Sequence, residues 1–143
     1  MNSKANSKEI FEFLADNTTV ELSNSTFKNK DGSISHFVTT SHDNAMESGL
    51  AYLSIDKKLY DSALLSHDHS HPGGPSFPSG LPGSRYTKGG DIPFAKGYTS
   101  DAISKLQPIP QFRIYVPGNG YRRYHINSTQ NGFNRMPKYY WKK

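Results

Sequence analysis

The chain has 143 residues, no cysteine, and a net charge of +5 from 17 basic and 12 acidic side chains. That length fits one domain with one core. The missing thiols exclude disulfides and thiolate ligands, so any metal must rest on imidazole and carboxylate. No apolar run approaches the roughly 20 residues of a membrane helix, and no signal-peptide apolar region follows Met1.

Residues 7–16, SKEIFEFLAD, predict a helix in which Ile10, Phe13 and Leu14 share a face, with Asn6 as cap and Glu9 at N3. Residues 18–22, TTVEL, read as a short β-branched strand. Residues 24–33 read as turn material in which Asp31-Gly32 is a hairpin signal, and 35–40, SHFVTT, as the next strand. The segment 45–55, AMESGLAYLSI, fits a helix or a strand, with Gly49 weakening the helix. Ala63-Leu64-Leu65 predicts a buried strand that runs into a histidine cluster. Residues 72–90 form a Gly/Pro-rich loop, a length uncommon inside a compact domain unless it is functional. A second helix is expected over 91–106, with Phe94, Ala95, Tyr98, Ala102, Ile103 and Leu106 on one face. FRIYV at 112–116 is a strand that Gly118-Asn119-Gly120 turns into another at 121–126. The order of elements places the chain in the α/β or α+β class.

The core is expected over about 7–126, with 127–143 as a peripheral basic tail. The basic excess lies late, in Arg122, Arg123, Arg135, Lys138, Lys142 and Lys143, interleaved with Tyr139, Tyr140 and Trp141. Such a surface suits nucleic acid or an acidic protein; the reading preferred here is a solvated terminus. The sequons at Asn17, Asn24 and Asn127 carry no meaning outside a secretory context.

The chemistry concentrates in HDHSHPGGPSFPSGLPGSRYTKGGD, residues 67–91. In an extended segment residues i and i+2 point the same way, so His69 and His71 place two imidazoles on one side of a strand end. Pro72 stops that strand, and the glycines after it leave the side open. Zinc takes about four donors, one of them water at a catalytic site; two histidines and a carboxylate from elsewhere meet that need. An isolated H-x-H is a weak signal, since surface and packing histidines share the spacing.

His69-Ser70-His71-Pro72, followed after six residues by Ser79 in Phe77-Pro78-Ser79, resembles the JAB/MPN (JAMM) metallopeptidase motif H-x-H-P-x6-S-x2-D. In that family Asp follows Ser by three residues, whereas position 82 here is Pro. The first downstream Asp is Asp91, at the expected helix start, so the chain reads as carrying an insertion over 80–88; Asp101 falls mid-helix and is a poor substitute. The family also carries a Glu on a strand after its first helix. Glu21, 48 residues before His69, occupies that place, and Glu47, followed by Ser48-Gly49, is the rival. FEFLADNTTVE, the HDHSHPGG, PSG, GDI and AKGY runs and IYVPGNGY resemble more narrowly the JAB-like domains of bacterial Rhs-type polymorphic toxins.

The resemblance implies a cytidine-deaminase-like sandwich, a mixed sheet flanked by helices. It implies Zn2+ held by His69, His71 and Asp91 beside a water whose pKa falls toward roughly 7. Glu21 would be the base and Ser79 the oxyanion support. Asp68 or a backbone carbonyl would orient the imidazoles; His67 reads as a neighbour rather than a ligand, and His36, His42 and His125 have no assigned role. A peptide or isopeptide bond in a protein substrate is the implied target. A polymorphic-toxin origin further implies a cognate immunity protein and delivery into another cell as part of a larger polypeptide. Neither a membrane nor nucleic acid is expected as a partner. Two alternatives remain. One is a metal-dependent nuclease toxin, whose phosphate contacts would make binding steeply salt-dependent; the other is a non-catalytic JAB-fold module.

Overall fold

The computed structural model describes residues 3–42, 61–82 and 90–135. The ambiguous 45–55 segment, Glu47 and the aromatic-basic residues 138–143 lie outside them.

Helix α1 spans Lys4–Asn17, three residues longer at its start than the sequence suggests. The Ser3 hydroxyl, not Asn6, is the cap and accepts the Asn6 N–H at 3.1 Å. The inward face differs as well: Ser7, Phe11 and Ala15 are buried at four-residue spacing, whereas Ile10 and Phe13 are 43% and 66% exposed. Ser3→Ala is expected to cost about 1 kcal/mol of stability through loss of this cap, read as a lower denaturant midpoint at unchanged slope.

Strand β1 is Leu22–Lys28, LSNSTFK, which includes residues 24–28 where the sequence suggests a turn, and of the expected strand over 18–22 residues 18–21 are not strand. Its polar run is buried because it lies between two strands and its side chains bond across them. The Ser23 and Thr39 hydroxyls pair at 2.6 Å and Thr26 Oγ1 meets His36 Nδ1 at 3.0 Å. Buried hydroxyls satisfied in this way lose little by leaving water. Asp31-Gly32 turns the chain into β2, Ile34–Thr40, with Gly32 at φ +85°.

Strand β3, Ala63–Ser70, pairs antiparallel with β1, Ser23 facing His69 and Ser25 facing His67. Helix α2, Asp91–Ser104, crosses over to β4, Gln111–Val116, which lies parallel to β3 with His69 beside Ile114. Strand β5, Gly120–Tyr124, returns antiparallel after a turn centred on Pro117-Gly118, and the sheet order is β2-β1-β3-β4-β5. Helix α2 buries Ile92, Ala95, Thr99 and Ala102, leaving Ile103 and Leu106 outside, a narrower stripe than the sequence pattern implies.

Residues directly opposite in a sheet share a face. One face carries Ser23, His69, Ile114 and Arg122 in a row and packs under α2; the other carries Leu22, Tyr115 and Tyr121 under α1. The result is a mixed α+β sandwich, a sheet flanked by helices. The stretch 127–143 differs from the expected peripheral tail where it is described: Gln130–Arg135 form α3, and Phe133 enters the core at 1% exposed. Arg122, counted above with the surface cations, is 6% exposed.

Asp68 alternates with His69 and so faces α1, where Arg113 donates to both its oxygens at 2.7 Å. The Arg113 guanidinium also lies 4.5 Å over the Tyr121 ring. Arg113→Met would leave the Asp68 carboxylate, 3% exposed, without this cation. A destabilisation of about 3 kcal/mol is expected, measurable by urea unfolding.

Candidate metal centre

Strand β3 delivers both histidines. The ladder continues past its end, because the His71 N–H donates to the Tyr115 carbonyl at 2.9 Å, so His69 and His71 keep the alternation that puts both on the α2 face. Pro72-Gly73 then turns the chain, with Gly73 at φ +62° and the Gly74 N–H on the His71 carbonyl, as a type II turn requires. Pro78 and Leu81 anchor the following loop in the core.

Asp91 comes from the first turn of α2. Its Oδ2 accepts the Ser79 N–H at 2.6 Å, its own N–H reaches Ser79 Oγ at 3.2 Å, and the Ile92 N–H donates to the Ser79 carbonyl at 3.1 Å. These bonds join Ser79 to Asp91, twelve positions further along the chain. The spacing absent from the linear motif is restored in space.

His69 Nε2 lies 2.9 Å from His71 Nε2 and 3.2 Å from Asp91 Oδ1, and His71 Nε2 lies 3.5 Å from Asp91 Oδ2. The three residues offer ligand atoms all within 4.8 Å of one another. Donors about 2.0–2.1 Å from a shared tetrahedral zinc would stand about 3.3 Å apart, close to these separations. The tautomer fits as well. His71 Nδ1 lies 2.9 Å from the Pro75 carbonyl, an acceptor only, so Nδ1 carries the hydrogen and Nε2 presents its lone pair inward. The backbone carbonyl, not Asp68, orients this imidazole, as outer-shell partners of metal-bound histidines do.

Burial disfavours a charge on His69, but the adjacent Asp91 outweighs it, helped by Glu21 and Asp68, and its pKa rises above the ordinary imidazole value. Burial alone would raise the Asp91 pKa; His69 and His71 pull it well below the carboxylate range. The centre therefore holds a fixed carboxylate and two nitrogens pointed at one spot, an arrangement suited to a single cation. His69, His71 and Asp91 form a potential metal-binding group.

Glu21 sits immediately before β1, half-buried, two residues before the Ser23 that pairs with His69. Its carbonyl accepts the Thr40 hydroxyl at 2.8 Å, and its carboxylate is among the charges acting on His69. His67 stands apart from the group: its Nδ1 meets Ser25 Oγ at 2.9 Å, its ring packs 4.7 Å from Phe94, and burial, with His69 beside it, pushes its pKa down to about 3. Asp101 is exposed on α2 and pairs with Lys105. His36 bonds Thr26, and His125 Nδ1 accepts the Asn127 N–H, both away from the centre.

Two residues near the centre have no signal in a local motif. Tyr124, 2% exposed, meets the His69 ring edge-on at 6.1 Å. Arg122 holds the Ser76 carbonyl at 2.9 Å and the Phe133 carbonyl at 2.6 Å. Only the alternation of Tyr-Arg-Arg-Tyr in β5 marks them as candidates for the α2 face.

A mixed sheet between helices, with a His-His-Asp group where its central strand ends, defines a JAB-like domain with a potential metal site. The chain belongs to the JAB-like toxin 1 family, whose model matches residues 1–96, a span that contains Glu21, His69, His71, Ser79 and Asp91. Comparison with curated proteins and with solved structures finds no match to the chain. Among the described residues, no helix is long and apolar enough to cross a membrane.

Proposed function

We propose that this domain is a zinc-dependent peptidase or isopeptidase, the toxin module of a bacterial polymorphic toxin of the Rhs type. The observation that carries the reading is the convergence of His69 Nε2, His71 Nε2 and the Asp91 carboxylate, with the Glu21 carboxylate among the charges acting on His69. His69, His71 and Asp91 hold the ion; nitrogen and oxygen donors without thiolate suit zinc. When bound, zinc lowers the pKa of water and polarises a carbonyl. Glu21 takes the proton of the attacking water and passes it to the leaving amine. Ser79 Oγ accepts the Asp91 N–H, which leaves the hydroxyl proton to donate to the oxyanion that forms at the attacked carbonyl. Pro75 holds the His71 tautomer throughout.

Membership of a toxin family supports a target inside another cell and a cognate immunity protein that covers this face. The test is metal analysis of the purified chain together with cleavage of a peptide and isopeptide library, with and without a chelator. Zinc near one equivalent and chelator-sensitive hydrolysis are the expected results. Zinc-dependent cleavage of RNA or plasmid with intact peptides would move the chain to the nuclease alternative, and failure to bind zinc would leave a non-catalytic module.

A further inference from the structure

We propose that Arg122 is a positioning residue for the metal centre, acting through the loop that orients both His71 and Asp91. The inference rests on the metal-binding reading above. Arg122 lies on β5 opposite Ile114, which lies beside His69, so its side chain rises on the face that carries the histidines. It is 6% exposed. Nη1 donates to the Ser76 carbonyl at 2.9 Å and reaches Ser76 Oγ at 3.3 Å; Nη2 donates to the Phe133 carbonyl at 2.6 Å, and the guanidinium lies 4.6 Å over the Phe133 ring.

Burying a cation is costly unless its hydrogens are satisfied. Here the rigid guanidinium fork serves two main-chain carbonyls, 46 and 11 residues away in sequence. The loop over 72–82 lies outside the sheet ladder, and Arg122 braces it at Ser76. Ser76 is bonded to Pro75, whose carbonyl takes the His71 Nδ1–H, and lies three residues before Ser79, which holds Asp91. Arg122 thus stands one peptide unit from the group that sets the His71 tautomer. Without it, the Pro75 carbonyl is no longer held, His71 is released to place its hydrogen on Nε2, and the inward lone pair is lost. Through Arg122, β5 and α3, which follow the family-matched segment, support ligands that lie within it.

The test uses the full chain with Arg122→Met, Arg122→Lys and Phe133→Leu. Two readouts apply: the zinc dissociation constant by chelator competition, and the imidazole tautomers of the metal-free protein by proton–nitrogen NMR. Arg122→Met is expected to weaken zinc by roughly 10–100-fold, the effect typical of losing an outer-shell partner, and to shift His71 away from the pure Nδ1–H form. Arg122→Lys should recover part of both. Phe133→Leu, which loosens α3 but keeps the Arg122–Ser76 bond, should lower the melting temperature with the tautomer unchanged. A folded Arg122→Met protein with zinc affinity within about twofold of the parent and an unaltered His71 tautomer overturns the proposal. So does the same tautomer change in Phe133→Leu, which would reduce Arg122 to general support of α3. If Arg122→Met does not fold, the same two readouts on Arg122→Lys decide. Failure of the parent chain to bind zinc defeats the metal reading itself, while the His71 tautomer still judges Arg122.

Discussion

Alanine at His71 is expected to abolish zinc retention through purification while leaving the fold in place. His71 contributes one of the three donors and sits just past the end of β3, held to β4 by its backbone N–H rather than by its ring. Removing the imidazole therefore takes away a ligand without taking away a ladder bond. Outer-shell substitutions cost roughly 10–100-fold in metal affinity, so losing a ligand should exceed that range. His69→Ala should behave alike toward zinc but cost more stability, because the His69 ring lies against His71 and Tyr124 in the interior. The check is metal content per chain and far-UV circular dichroism on the same preparations. Stoichiometric zinc in folded His71→Ala would show that the ion is held elsewhere.

Glu21→Gln is expected to keep zinc and lose turnover. The substitution preserves shape and removes the base, and general acid–base catalysis contributes about 10²- to 10⁴-fold; kcat should fall by that factor, with KM changed little. Removing the Glu21 charge also withdraws one contribution that favours a proton on His69, a change that leaves zinc binding intact or slightly improved. Unchanged turnover in a zinc-loaded Glu21→Gln protein would send the base role to Glu47. Fluorescence of a quenched peptide or isopeptide substrate, paired with metal analysis, separates the two outcomes.

Several features of the site are legible along the chain because they are local. An alternating H-x-H after a short apolar run can point both rings one way only if the backbone is extended, and β3 is extended. The proline and glycines after His71 announce the turn, and Asp91 in Gly90-Asp91-Ile92 marks a helix start. The hairpin at Asp31-Gly32 and the strands on either side of Gly118 follow from turn chemistry alone. Other features have no local signal. Residues 24–28 look like turn because Ser, Asn and Thr favour turns when solvated; only neighbours on both edges make them a buried strand. The buried stripe of α1, with Phe11 and Ala15 inward in place of Ile10 and Phe13, is set by how the helix packs on the sheet against Leu22, Tyr115 and Tyr121.

The sequence by itself determined the donor types, the direction of the two imidazoles and the α/β or α+β class, since these depend on residue chemistry and on backbone periods of two and about 3.6. The motif resemblance already pointed to Asp91 as the carboxylate that joins them; only the tertiary structure decided how it reaches them. Asp68 is adjacent to His69 in the chain, yet alternation sends it to the opposite face and to Arg113; Asp91 is 22 residues away from His69, yet two hydrogen bonds with Ser79 bring it to the imidazoles. Nearness along a strand separates side chains by a sheet's thickness, whereas nearness across a folded loop is set by packing and by hydrogen bonds between distant segments.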